Sequence, residues 1–212
     1  MAQILLDTQS TPVTPAAGQA VLYFDNVSKK LTTKNDAGVI DTVDDVSAAS
    51  TANQTGFAAD TYVTGANLAI PAGLLKAGTA YYAAFDMVKT AAGVAAATVI
   101  VRIGTAGTIA DTARLTFTFG AGTAAVDTGL FEVWVIVRSV GGAGVITGLC
   151  RCTHHLAATG LVSTGASGTG ILTVTSASFD TTVAASTIGI SFNGGASFAG
   201  TNTYVSANFK GI

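Results

Sequence analysis

Cys150, Cys152, His154 and His155 form the densest group of reactive side chains in the chain. Side chains on a strand alternate between its two faces, so Cys150, Cys152 and His154 would share one face with the ligand types of a zinc site. Cys and His occur nowhere else in the chain, so a closed site would need a carboxylate or a ligand from another subunit. The favoured reading is a packed strand with small thiols inside and imidazoles near its end, and neither a metal nor a cofactor is assigned. Thiols two residues apart on extended chain sit badly for bridging each other, so both cysteines are expected to be free.

Glu132 is the only glutamate, and it stands two residues before the only tryptophan, Trp134, on the same face of its strand. Glycoside hydrolysis needs two carboxylates roughly 5 to 9.5 Å apart, and the sequence offers no convincing second member. The expectation here is a sandwich face covered by a neighbour or by a turn. Gly165-Ala166-Ser167-Gly168 lacks the spacing and the following helix of a nucleophile elbow. Gly141, Gly142 and Gly144 join two expected strands, with no helix N-terminus to hold a phosphate. Asp36, Asp41, Asp44 and Asp45 lack the spacing of a calcium loop and read as a solvated turn and linker. No catalytic residue is assigned, and the chain is expected not to be an enzyme.

The composition narrows the remaining classes. Of 212 residues, 49% are hydrophobic and only 10% charged, whereas a soluble domain ordinarily carries roughly 25% charged residues. Such a chain hides much of its exterior in permanent interfaces, or wets it with Thr, Ser and Asn. A formal net charge of -2 provides no basic footprint, so nucleic acid is not expected as a partner. Mean hydropathy is +0.54, but the apolar runs at 94–101 and 131–137 fall far short of the ~18 residues of a spanning helix, so membrane insertion is not expected. The opening MAQILLDTQS has no positive stretch, and Asp7 interrupts its apolar patch. It is not read as a signal peptide, and synthesis in a bacterial cytoplasm follows.

These residues need a scaffold of strands. Leu115, Phe117 and Phe119 alternate with Arg114, Thr116 and Thr118, and Ile188, Ile190 and Phe192 with Thr187, Gly189 and Ser191. Further strands are expected near 62–70, 79–89, 94–103, 129–139, 145–157, 171–179 and 202–210, separated by Gly-rich turns. The fold class is all-β: a jelly-roll-like β-sandwich body over 57–212, a small β-meander over 20–43, a polar linker over 44–56 and an extended N-terminal arm over 1–19. The arm carries an apolar tip, Ile4, Leu5 and Leu6, followed by Pro12 and Pro15, which favour an extended path. With no local core to join, the tip is expected to dock on a partner.

The stretch GQAVLYFDNVSKKLTTKNDAGVIDTV, residues 18–43, resembles a short β-repeat found near the N-terminus of tailed-phage fibre and head-decoration proteins. Residues 131–161, FEVWVIVRSVGGAGVITGLCRCTHHLAATGL, and the stretch from Ser178 to Ile212 resemble the closing strands of jelly-roll domains in virion proteins of the same kinds. Together these cover about half the chain, and they are turn and strand patterns without invariant chemistry. The resemblance implies a homotrimeric structural protein of a phage virion. A fibre needs a long repetitive shaft, and arm, meander and one body use up this chain. The expectation is therefore a capsid decoration or cement protein on the outer surface of the head, bound to the major capsid protein or to other virion proteins. The alternative is a short tail fibre or receptor-binding protein that recognises a host glycan, with an isolated carbohydrate-binding module behind it.

Overall fold

The computed structural model describes residues 8–25, 31–38, 40–42, 46–70, 75–90, 93–154, 160–162, 170–183 and 186–210, and all the regular structure in them is β. The chain divides into two compact units, Met1–Asp45 and Val46–Ile212.

In the first unit, β1 (Thr8–Gln9), β2 (Ala20–Asp25), β3 (Leu31–Asn35) and β4 (Ile40–Thr42) form one sheet in that order. The turn between β3 and β4 follows from its residues. The Asn35 side chain accepts from the Ala37 amide at 3.1 Å, the Asn35 carbonyl accepts from the Gly38 amide at 2.9 Å, and Gly38 takes a φ of 78° that suits glycine. The arm departs from expectation. Thr8–Gln9 pairs parallel with Phe24–Asp25, the Lys34 ammonium donates to the Pro12 carbonyl at 2.7 Å, and Asp36 accepts from the Gly18 amide at 2.7 Å. The chain from Thr8 onward therefore folds back along its own meander, because the edge of β2 offers unmade backbone bonds that Thr8 and Gln9 satisfy, while Lys34 and Asp36 hold the stretch that follows. Pro12 and Pro15 are half-buried, whereas Ile4, Leu5 and Leu6 lie outside the described residues.

The second unit is the sandwich. Its strands are β5 (Val46–Ser50), β6 (Thr61–Tyr62), β7 (Leu68–Ile70), β8 (Ala80–Lys89), β9 (Ala96–Gly104), β10 (Thr112–Ala121), β11 (Asp127–Ser139), β12 (Val145–His154), β13 (Ile171–Thr175), β14 (Ser186–Asn193), β15 (Gly200–Thr201) and β16 (Val205–Lys210). One sheet runs β10-β9-β14-β6, with β7 also on β14; the other runs β13-β12-β11-β8-β16-β5, with β15 also on β8. All pairings among the described residues of this unit are antiparallel, and the sheets pack face to face as an all-β, jelly-roll-like sandwich. Residues 46–50, expected within a linker, form the edge strand β5 beside β16. Their Ala and Ser side chains resemble a linker in composition, but pairing uses backbone groups, and small residues suit an edge.

Alternation sorts the faces. Along β11, Phe131, Val133, Val135 and Val137 are buried, while Leu130, Glu132, Trp134 and Ile136 face outward. Phe131 stacks on Phe85 of its own sheet at 5.2 Å between centroids and meets Phe119 and Phe192 of the other sheet edge-on at 5.6 and 5.3 Å. Each such side chain contributes about 1.5–3 kcal/mol by burial, and each ring pair about 0.5–1.5 kcal/mol more. Gly148 faces the same core. A Cβ there would lie 2.5 Å from Leu115 Cδ1 and 3.0 Å from Phe117 Cζ, so a larger residue would force both side chains to shift in the core.

The buried positions on β10 and β11 give a direct test. Phe117→Asp or Val135→Asp places an unpaired charge in the core and should cost more than about 4 kcal/mol, enough to abolish soluble expression. Thr116→Asp, on the exposed side, should cost no more than about 1 kcal/mol. Soluble yield and thermal melts of the three variants check the register; equal losses in all three would contradict it.

Candidate functional site

The structure separates the two clusters that the sequence singles out. Cys150 and Cys152 face the sandwich core, where burial pushes the Cys150 thiol well up and the Cys152 thiol up to about 12. His154, on the same face at the strand end, contacts buried Asp127 through Nδ1 at 2.9 Å, and Asp127 also accepts from the Leu161 amide at 2.8 Å. Beside them, the buried Lys89 ammonium donates to the carbonyls of Thr123, Ala125 and Gly160. Desolvation lowers the Lys89 pKa, and the Asp127 charge opposes that shift. These groups close one end of the sandwich and tie 122–126 and 160–162 to it. Among the described residues, no three Cys, His, Asp or Glu side chains converge as metal ligands. His155 lies outside the described residues, as do the side chains of Asp41, Asp44 and Asp45.

A second buried charge holds the other sheet. Arg102 donates to Ser191 Oγ at 2.8 Å, to the carbonyls of Ile109 and Asp111, and to Asp60, with which it forms an ion pair. Asp111 in turn accepts from the amides of Ala106 and Gly107 at 2.9 and 2.8 Å, fixing the β9–β10 loop. Tyr62 lies by this network. Its phenol is pushed from 10.0 up to about 12, first by burial, then by the Asp111 carboxylate, with Arg102 opposing.

Glu132 and Trp134 are different: both stand on the outer face of the seven-stranded sheet. Pairing adds two partners that sequence reasoning missed, since Arg151 lies directly across from Glu132 and Tyr82 directly across from Trp134. Both Glu132 oxygens are engaged: Oε1 accepts from the Tyr82 hydroxyl at 3.3 Å and Oε2 from Arg151 Nε at 2.9 Å. Arg151 is also ion-paired with Glu132 through Nη2, and its guanidinium carbon lies 5.6 Å from the Trp134 ring centroid. The Tyr82 and Trp134 rings are 5.2 Å apart and tilted by 51°. Burial and then the Glu132 charge raise the Tyr82 phenol above its ordinary value.

Two shallow depressions flank the indole. One, of about 480 Å³, is lined by Ala80, Tyr82, Ile136 and Asn208 among others; the second, of about 580 Å³, by Arg138, Thr147, Leu149 and Thr173. Leu130, Ile136 and Ile171 add exposed apolar surface to this face. The arrangement can stack a ligand on aromatic rings and hydrogen-bond its rim, and among the described residues it places one carboxylate, Glu132, in contact with them. Alternation alone puts Glu132 and Trp134 together. Finding Tyr82 and Arg151 requires the register of strands distant in sequence.

Comparison of the chain with protein-family models, curated proteins and solved structures returns no match.

The buried titratable groups generate two expectations. Cys150→Ala with Cys152→Ala should leave the fold intact at a cost of about 1–3 kcal/mol, and in the native protein neither thiol should react with iodoacetamide at pH 8 until the chain is unfolded. Stoichiometric zinc that is lost in the double variant would contradict this. For Tyr62, the folded pKa lies above the unfolded value, so its contribution to stability is complete below about pH 10 and is lost as pH rises toward 12. Ultraviolet titration of phenolate should show Tyr62 and Tyr81 ionising only with alkaline unfolding; early ionisation of all five tyrosines would contradict their burial.

Proposed function

We propose that the chain is a non-catalytic structural protein of a tailed-phage virion, a trimeric capsid decoration or cement protein on the outer surface of the head. One observation carries most weight. The N-terminal unit buries little among its described residues, chiefly Tyr23 and Thr32, while Val13, Leu22 and Phe24 are exposed at 89%, 46% and 37%. A sheet this small is marginal by itself, and its apolar exterior suits burial against other copies around a symmetry axis or against a capsomer.

Three features support the same reading. Residues 18–43 resemble the short β-repeat of phage decoration and fibre proteins. The 10% charge content suits a surface buried in permanent contacts. The buried charges Lys89, Arg102, Asp111 and Asp127 all bond to loop backbone. Cementing needs no reaction. A trimer that touches several capsid subunits combines modest contacts through effective concentration into tight attachment, so that added interface resists internal pressure. The apolar tip Ile4, Leu5 and Leu6 is the proposed anchor, each side chain contributing about 1.5–3 kcal/mol before ordering costs.

Native mass spectrometry at micromolar concentration should show three chains, and a clean monomer would contradict the trimer. Replacing Ile4, Leu5 and Leu6 together by Ser should leave the melting temperature unchanged. The same variant should bind capsids stripped of the native protein at least about tenfold more weakly, a loss of at least about 1.4 kcal/mol. Equal decoration by variant and native protein would exclude the tip as anchor. Failure of both to bind capsids, with binding to host cells instead, would replace the cement reading with a receptor-binding one.

A further inference from the structure

We propose that the outer face of the seven-stranded sheet around Trp134 is a binding site for a neutral oligosaccharide, a role beyond decoration that stands whether the chain sits on a head or a tail. The first ground is the pairing of ring and rim. A pyranose presents a flat face of C–H groups to an aromatic ring and a ring of hydroxyls around it. Here Trp134 and Tyr82 lie side by side on an outward face rather than in the core, and polar groups surround them. Glu132 is 12% exposed and held by Tyr82 and Arg151, so its orientation is fixed before any ligand arrives. Arg151 is 46% exposed and has guanidinium N–H groups beyond the two that bond Glu132. Asn208 extends the polar rim on one side, while the depression on the other, beside Thr147, Leu149 and Thr173, is almost wholly apolar and suits the C–H face of a sugar.

The second ground is shape. Depressions of about 480 and 580 Å³ lie on either side of the same indole, both open and shallow. Each has the size of a ligand site, about 300–1,000 Å³, and together they describe a track with Trp134 between two sugar positions, which fits a chain of rings better than one enclosed small molecule.

The third ground is charge, which selects the class of sugar. Among the described residues, Glu132 and Arg151 neutralise each other, Asp86 is tied to Asn202, Thr203 and Tyr204, and Arg138 stands apart at the rim. A sulfated or uronic chain finds no cluster of cations here. A protein partner that covers the Glu132–Arg151 pair at the centre of the patch has to remove the water on Arg151, which is 46% exposed, at a desolvation cost. A hydroxylated ligand instead adds hydrogen bonds to the exposed edge of that pair.

Trp134 is the only tryptophan, so its emission reports this site alone. The full chain should be titrated with maltohexaose, cellohexaose, laminarihexaose, mannohexaose and N-acetylchitohexaose, with a hyaluronan hexasaccharide as the anionic control. At least one neutral hexasaccharide should shift the emission saturably, with a dissociation constant of about 1 mM or tighter. By calorimetry, Trp134→Ala and Arg151→Ala should each weaken that binding at least tenfold, with both variants still folded by circular dichroism and cooperative in melting. Three results would overturn the site: no response to any neutral member, hyaluronan binding as tightly as the best of them, or an indole inaccessible to acrylamide in the assembled protein, which would mean that another copy covers the face.

Discussion

The rings of Phe131, Phe85, Phe119 and Phe192 hold the two sheets together, and much of the rest follows from that contact. Side chains on a strand alternate with a period of two. Once Phe131 points inward, Glu132 and Trp134 must point outward, and once Phe85 points inward, so must Tyr82's neighbours Ala84 and Asp86. The candidate site is thus the reverse side of the core. A one-residue slip of β8 against β11 would separate Tyr82 from Trp134 and also expose a phenylalanine, so the same packing that stabilises the sandwich positions the aromatic pair.

The second organising constraint is how few charges the chain has and where they lie. Lys89 and Asp127 close one end, Arg102 and Asp111 pin the loop over the five-stranded sheet, and Asp86 gathers the amides of Thr203 and Tyr204 where β15 leads into β16. Each group replaces its lost hydration with several hydrogen bonds, as burial of a charge demands. With only 10% of the chain charged and Lys89, Arg102, Asp111 and Asp127 inside, the exterior of the body carries few ionic groups beside its rings, hydroxyls and apolar patches.

Much of the fold was legible in the sequence because core-facing alternation is a local signal. The runs at 114–119 and 187–192 fall in β10 and β14, and the Asn35–Gly38 turn declares itself through residues that act on their own backbone. What escaped was non-local. Val46–Ser50 pairs with β16 across more than 150 residues of sequence, and no composition of Ala and Ser announces such a partner. The return of the arm depends on Lys34 reaching Pro12 and on a parallel edge pairing, both tertiary. At the outer face, Glu132 and Trp134 were visible as a pair, but Tyr82 lies 50 residues from Glu132 and joins it only through register. Cys150 and Cys152 showed the converse: their shared face and its place inside the sandwich were both read from the strand, and the packing agrees.

The proposed role in an assembly rests on an N-terminal unit with exposed apolar residues and on a sandwich with an aromatic outer face. Cryo-electron microscopy of virions from the native source, with the chain located in the density, tests this most directly. The account predicts three-fold-symmetric density for the chain on the outer surface of the head, touching more than one capsid subunit. Density confined to the tail, or particles that lack the chain altogether, would contradict it.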